Sequence, residues 1–299
     1  ILAQAVSFQH SSRASLLHRE QRCAMPAVTL EKVGRIAKVT LNVPERLNAM
    51  TVEIAEGFGR VVEELCADPS PYGAVVITGA GRAFSAGGDL EWLKRRCSDT
   101  PSRNSQIMRD FYDKFLRVRR IPLPVIAAIN GPAIGAGLCF AMACDIRIVS
   151  AQAKLGFTFV GLGLHPGMAA THLVASVAGY EVAYRLLLSG DLVSGAEAKE
   201  LRLVTQVAED GAAAVAEAMK LAERIAAQAP VAVRAAVRSL RQKQDVGLEA
   251  ALWREADAQS YGYSTPDCLE GIAAVAEKRP PKFTMYETYA DPPPARSKL

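Results

Sequence analysis

Twice in this chain a short apolar run passes straight into a turn of small residues. The first run, Ala74-Val75-Val76-Ile77-Thr78, leads into Gly79-Ala80-Gly81-Arg82-Ala83-Phe84-Ser85-Ala86-Gly87-Gly88-Asp89. The second, Val125-Ile126-Ala127-Ala128-Ile129, leads into Asn130-Gly131-Pro132-Ala133-Ile134-Gly135-Ala136-Gly137. A β-branched run closed by glycine reads as a buried strand, and the small-residue turn after it as the approach to a helix. Strand, turn and helix in alternation call for an α/β core. Glycine and alanine put little side chain between the backbone and a ligand. A helix start adds unpaired N–H groups and a partial positive charge. Two such starts brought to one point make a pocket suited to a negative oxygen.

The chain has 299 residues, room for one large domain or two small ones. Half are hydrophobic and 22% charged, the balance of a globular protein. The net charge of +4 is spread along the chain, which argues against nucleic acid as the main partner. The long stretch of low charge that starts near Ile121 is broken by Pro122, Pro124 and Pro132 and so reads as core, with no membrane insertion. Cys23, Cys66, Cys97, Cys139, Cys144 and Cys268 form no C-x-x-C pair and read as buried reduced thiols. His10, His18, His165 and His172 lack the H-E-x-x-H spacing, and no metal site is expected.

Residues 1–24, rich in arginine and serine with Glu20 the one acidic residue, read either as a transit segment or as a non-native extension before Met25. Residues 25–210 carry the strand signals. They start with a hairpin over Ala27–Leu41 that turns at Gly34 and a helix capped by Thr51 with Ile54, Phe58, Val61, Val62 and Leu65 on one face. A short helix is expected at Leu90–Arg96, a mobile polar connection at 98–105, and helices at Ser105–Arg120 and Gly135–Cys144. Strands are expected at Asp145–Ser150, Lys154–Phe159 and Leu203–Val207, with a helix from Gly167 to Ala178 and a capping box at Ser194-Gly195-Ala196-Glu197. From 211 to 284 only helices are expected (212–228, 231–243, 247–261, 266–277), which suggests a separate module. Residues 285–299 form an exposed tail. Its last three, Ser297-Lys298-Leu299, match a peroxisomal import signal, with mitochondria the alternative destination.

Neither glycine turn is a dinucleotide site: the third glycine of that fingerprint is replaced by Phe84 in one and Phe140 in the other. No P-loop is present. Ala83-Phe84-Ser85-Ala86-Gly87 lies one residue from a G-x-S-x-G elbow, and Asp145 and His165 or His172 follow in hydrolase order. The strand stops at Thr78, too early for a sharp elbow at Ser85, so this is the weaker reading.

Taken together, several segments resemble the crotonase (enoyl-CoA hydratase/isomerase) superfamily. They are Asn42–Ala49, the turn Phe84–Asp89, the turn Asn130–Gly137 running to Cys144-Asp145, and Gly163-Leu164-His165-Pro166-Gly167. Ala198-Lys199-Glu200 with Leu203-Val204, and Glu270-Gly271 with Glu277-Lys278-Arg279, continue the match, which spans about residues 27–283 in order. The resemblance implies a crotonase-like α/β spiral of ββα units with a helical C-terminal trimerisation region. It implies an acyl-CoA thioester as substrate, with CoA entering as part of it and no tightly bound cofactor. It also implies a homotrimer or dimer of trimers, and the tail adds a peroxisomal import receptor as a partner. The two backbone donors of the family's oxyanion hole fall on Gly88 and Ala136. Each such donor contributes roughly 3–4 kcal/mol to the transition state. CoA is expected along Ser85, Ala86, Gly87, Gly88 and Asp89 and along Ala133, Ile134, Gly135 and Ala136, with Arg46 and Lys278 near its phosphates.

The chain departs from the family where hydratases carry two glutamates: these positions fall on Cys139 and Phe159. The isomerase carboxylate falls on Gly167. Hydration and double-bond migration both need a group that moves a proton. His165 is the candidate, because imidazole titrates near neutrality, against an equal reading as a core or helix-start histidine. Asp89 reads as a helix cap, Cys139 as a buried thiol and His172 as structural or at a subunit contact. The function expected is enoyl-CoA hydratase/isomerase chemistry in fatty-acid or branched-chain acyl-CoA breakdown. The alternatives are decarboxylation or hydrolysis through the same enolate, or an acyl-CoA-binding subunit without catalysis.

Overall fold

The computed structural model describes residues 26–284. The transit segment and the peroxisomal tripeptide read from the two ends lie outside them. The hairpin forms as expected, β1 (Val28–Val33) against β2 (Ile36–Leu41), with Gly34 at φ 58° in its turn. Parallel strands then extend the sheet: β3 (Ala74–Gly79), β4 (Val125–Ile129), β6 (Ile146–Ser150) and β9 (Gln206–Ala208), in the order β1-β2-β3-β4-β6-β9. A second sheet of three short strands holds β5 (Ala133–Ile134), β7 (Lys154–Gly156) and β8 (Leu192–Ser194), in the order β5-β7-β8.

β3 is buried along its whole length, and its two faces serve two cores. Val75 and Ile77 point into the main core with Val39, Leu41, Phe58, Phe115 and Phe140. Ala74 and Val76 point the other way, with Ile36, Ile126, Ala128 and Ile148. A continuous apolar run is what a parallel strand covered on both faces requires. On the main-core side lies α1 (Val52–Ala67), whose N-cap Thr51 accepts from the Ile54 amide. The opposite face is covered by α8 (Gly211–Ala226), through the fully buried stripe Ala214, Ala218 and Ala222. This changes the reading of the helical end: its first helix is a layer of the core.

α2 (Leu90–Arg96) falls where expected. α3 does not begin at Ser105. It spans Pro101–Leu116, with Thr100 accepting from the Arg103 amide and Pro101 in the first turn, and a 3-10 turn Arg117–Arg120 follows. A capped start with proline at its first position outweighs the polar composition that suggested a mobile connection. α4 (Ala136–Ala143), α5 (Ala170–Ala178), α6 (Tyr180–Ser189) and α7 (Gly195–Glu200) complete the spiral. α6 and β8 are absent from the sequence reading, while the Ser194–Glu197 capping box forms with both reciprocal bonds. α9 (Pro230–Gln244), α10 (Leu248–Tyr263) and α11 (Pro266–Glu277) finish the chain. α10 lies along α3 and α5, which carries its side chains toward the interior. Arg241 of α9 pairs with Asp145 at 2.6 Å and donates to the carbonyls of Arg119, Ile121 and Leu123, fixing the connection into β4. Among the described residues no helix is long and apolar enough to cross a membrane.

Candidate active site

The two glycine turns meet. Ser85 pairs with Ala133 in an isolated parallel bridge, and the Ile134 amide donates to the Ser85 carbonyl at 3.0 Å. Gly87 sits at φ +87°, where a side chain is strained. A Cβ there would overlap the Ile134 carbonyl oxygen and stand 3.5 Å from the Ala136 nitrogen. Gly137 packs just as closely, since its Cβ would be 2.7 Å from that of Ser85. The small residues therefore let two main chains touch.

Hydrogen bonding holds this junction with the amides of Ser85, Ala86, Gly87, Ile134 and Gly135. Among the described residues, those of Gly88 and Ala136 donate to no acceptor. Both residues line one cavity of about 430 Å³, within the range of small-molecule sites. Ala136 is also the first residue of α4, where the helix leaves N–H groups free. Two unspent amides on one wall are an arrangement that can stabilise an oxyanion.

Of the other positions read from the sequence, Ala86, Gly87, Asp89, Ile134, Gly135 and Arg46 line the same cavity. Asp89 does cap α2, accepting from the Trp92 amide at 2.8 Å, and its second oxygen receives Arg46 at 2.6 Å. The half-exposed Arg46 places a cation at the mouth. Ser85 and Ala133 lie behind the wall. The Ser85 hydroxyl donates to the Asn48 carbonyl at 2.8 Å and is fully buried, so no nucleophile is presented. Asp145 is held by Arg241, and the hydrolase triad does not assemble. Lys278 is exposed at the end of α11 and is not among the lining residues, although Val275, three residues earlier, is.

His165 is also not among the lining residues. Its Nδ1 lies 2.6 Å from the Pro166 carbonyl oxygen and donates to it, and burial lowers the imidazole's proton affinity. The structure thus does not put the proposed base against the cavity. His172 Nε2 is likewise taken by the Gln244 carbonyl at 2.8 Å. Cys139 is fully buried behind the wall, and desolvation pushes its thiol well up. Phe159 does line the cavity. At Gly167 a side chain would overlap the Tyr112 hydroxyl.

Tyr112 itself escaped the sequence reading, as did Gln259 and Glu255. Tyr112 lies on the inner face of α3 with Met108 and Phe115, and its hydroxyl donates to Gln259 Oε1 at 2.8 Å. Glu255, one turn before Gln259, accepts from the amides of Ala169 and Thr171 and from the Thr171 hydroxyl at the start of α5. Burial raises its carboxyl to about 7 against these bonds. The signal available in the sequence was the interruption of an apolar stripe, Leu248, Leu252, Ala256 and Tyr263, by two polar residues that a helix turns to the same side. The rest of the cavity is apolar and aromatic, with Trp92 stacked on Phe111 at 5.0 Å.

The family model for enoyl-CoA hydratase/isomerase matches residues 31–286. The chain belongs to this family. A putative enoyl-CoA hydratase of Thermus thermophilus is 40% identical over 86% of this chain and all of that one. A short-chain-enoyl-CoA hydratase of Clostridium acetobutylicum is 34% identical over 84% of this chain and 95% of its own. The crystal structure of an enoyl-CoA hydratase/isomerase from Pseudoalteromonas atlantica superposes with a TM-score of 0.75 at 30% identity, covering 86% of this chain and 99% of that one. The crotonase fold is therefore shown, and the chain is an acyl-CoA-processing enzyme of the hydratase/isomerase type.

Proposed function

We propose that this enzyme binds an enoyl-CoA thioester with the carbonyl oxygen between the amides of Gly88 and Ala136, and hydrates or isomerises the acyl chain through the enolate they stabilise. The observation that carries the reading is the pair of unspent amides on one wall of an otherwise apolar cavity. CoA arrives as part of the substrate, with the thioester along the Ala86–Asp89 and Ile134–Ala136 turns and Arg46 at the mouth near its phosphates. Hydrogen bonds to the developing oxyanion lower the barrier. No tightly bound cofactor is needed for this chemistry.

One observation favours a second reading. Among the described residues, the carboxylates on the cavity wall are Asp89 and the exposed Glu91, both at the mouth, and the interior wall carries none. An enolate made by loss of carbon dioxide takes its electron pair from the substrate and needs no enzyme base. Incubating the purified protein with enoyl-, dienoyl- and malonyl-type CoA thioesters and following products by mass spectrometry separates the two. Gain of water or a shifted double bond supports the first reading, loss of carbon dioxide the second, and binding with no turnover of any thioester sinks both.

We also propose that the protein works as a homotrimer or a dimer of trimers built through its helical region. Support comes from Val231, Leu240, Trp253, Tyr261 and Leu269, large apolar side chains that a single chain leaves exposed. Light scattering that returns a monomer mass at working concentration rejects this.

A further inference from the structure

Two cysteines from distant parts of the chain meet where α2 and α11 pack together. Cys97 and Cys268 are 171 residues apart in sequence, and their sulfurs lie 3.4 Å apart in a hydrogen bond. Cys97 is half-buried at the end of α2, and Cys268 is buried in the first turn of α11. The bond from Cys268 holds the Cys97 thiol below its ordinary value, against the desolvation that raises it. A sulfur that solvent reaches, eased toward the thiolate and in contact with a second thiol, is the one that oxidation selects. The other cysteines among the described residues lack this setting. Burial raises the thiols of Cys66 and Cys139 and pushes that of Cys144 up to about 12. Cys66 and Cys144 donate to the carbonyls of Arg120 and Phe140 and not to another sulfur.

Both helices reach the cavity, α2 through Leu90, Trp92 and Leu93 and α11 through Val275. They are not held equally. A Cβ at Gly271 of α11 would stand 2.6 Å from the Leu162 main chain, and one at Gly163 would stand 2.9 Å from the Cys268 nitrogen, so α11 is seated backbone to backbone on the turn at 162–163. α2 has seven residues and buries only Leu93. Few buried contacts mark an element that shifts at little cost. A disulfide brings its sulfurs to about 2.05 Å, so this pair closes by roughly 1.4 Å, and α2 takes up the movement. We infer that Cys97 and Cys268 are a peroxide-oxidised pair whose disulfide draws α2 onto α11 and narrows the cavity that both helices line. The Cys97 thiol gives up its proton, and its sulfur attacks hydrogen peroxide, releasing hydroxide and becoming a sulfenic acid. The Cys268 sulfur then attacks the Cys97 sulfur and loses its own proton, and the sulfenic oxygen leaves as water. The hydroxide takes the first proton, so one peroxide and two thiols end as one disulfide and two waters.

The bond stands independently of the acyl-CoA reading above, while the effect on binding rests on it, and the test has one arm for each. In the first arm the full chain is treated with hydrogen peroxide and mapped as peptides without reduction. A peptide linking Cys97 to Cys268 is expected, lost with dithiothreitol and missing in Cys97→Ser. In Cys268→Ala, checked for an intact thermal transition, the sulfenic acid has no partner, and dimedone is expected to label Cys97. Both thiols still open to alkylation after peroxide overturns the inference. In the second arm calorimetry compares a saturated acyl-CoA on the reduced and the linked protein. Binding is expected to weaken about tenfold on linkage, the cost of modest overpacking, and to recover with dithiothreitol. Peroxide is expected to leave the affinity of Cys97→Ser unchanged. Equal binding by the reduced and linked forms overturns the narrowing. A reduced protein that binds no acyl-CoA overturns the acyl-CoA reading instead, and the peptide map still decides the pair.

Discussion

At the Gly88–Ala136 end the cavity is walled by main chain, whereas at the Tyr112–Gln259 end it is walled by side chains from two helices. The first end depends on residues that have almost no side chain. Its shape is fixed by amide-to-carbonyl bonds such as Ile134 to Ser85 and Met50 to Gly87. The second depends on which side chains α3 and α10 carry, Tyr112 and Gln259 among them. The difference separates two tasks. Backbone donors cannot be exchanged by mutation, so they suit the step common to all thioesters of one family. Side chains can be exchanged freely, so they suit the choice among acyl groups.

The hardest test of this division falls within one turn. Gly87→Ala forces a Cβ into the Ile134 carbonyl at a positive φ, and kcat is expected to fall by about 10²–10³, the loss of one oxyanion donor. Gly88→Ala meets only Leu93 at 3.6 Å, an ordinary contact, and activity is expected to stay within about 0.5 kcal/mol of the wild type. Steady-state kinetics on both variants, with melting curves to confirm folding, checks the contrast. Equal losses would break it.

The side-chain end gives a pH test. Burial holds the Glu255 carboxyl at about 7, above its ordinary 4.5, so the folded state keeps a proton that the unfolded chain releases. Its stabilising contribution is full below pH 4.5 and is lost as pH rises through 7, on the order of 3 kcal/mol in all. Denaturant unfolding between pH 5 and 8 is expected to show this decline in the wild type and a flatter profile in Glu255→Gln. Parallel profiles would remove Glu255 as the cause. The smallest effect is expected far from the cavity: Ser194→Ala removes the capping box of α7 and costs about 1 kcal/mol in thermal unfolding with kinetics unchanged.

The same division explains what the sequence made legible. A glycine that must admit another main chain announces itself, and so the turns at 79–89 and 130–137 were readable, as were the strands that lead into them. α2 was readable from Asp89 as its cap. The start of α3 was written in Thr100 and Pro101 but masked by the polar residues around them. α6 left Tyr180, Tyr184 and Leu188 exposed, which blurs the apolar stripe that marks a helix. The Tyr112–Gln259 bond joins residues 147 apart, and no local pattern encodes such a meeting. His165 showed the reverse error: its chemistry suited a base, but its ring is bound to the neighbouring carbonyl, a matter of orientation that composition does not carry.

The alanine stripe of α8 has a consequence for biogenesis. Every strand of the six-stranded sheet precedes α8 in the chain, so a ribosome releases the sheet before the layer that covers Ile36, Val76, Ile126 and Ile148. Until residue 226 has emerged, that apolar surface stands open to neighbouring nascent chains, and this is the interval in which the chain is most exposed to aggregation.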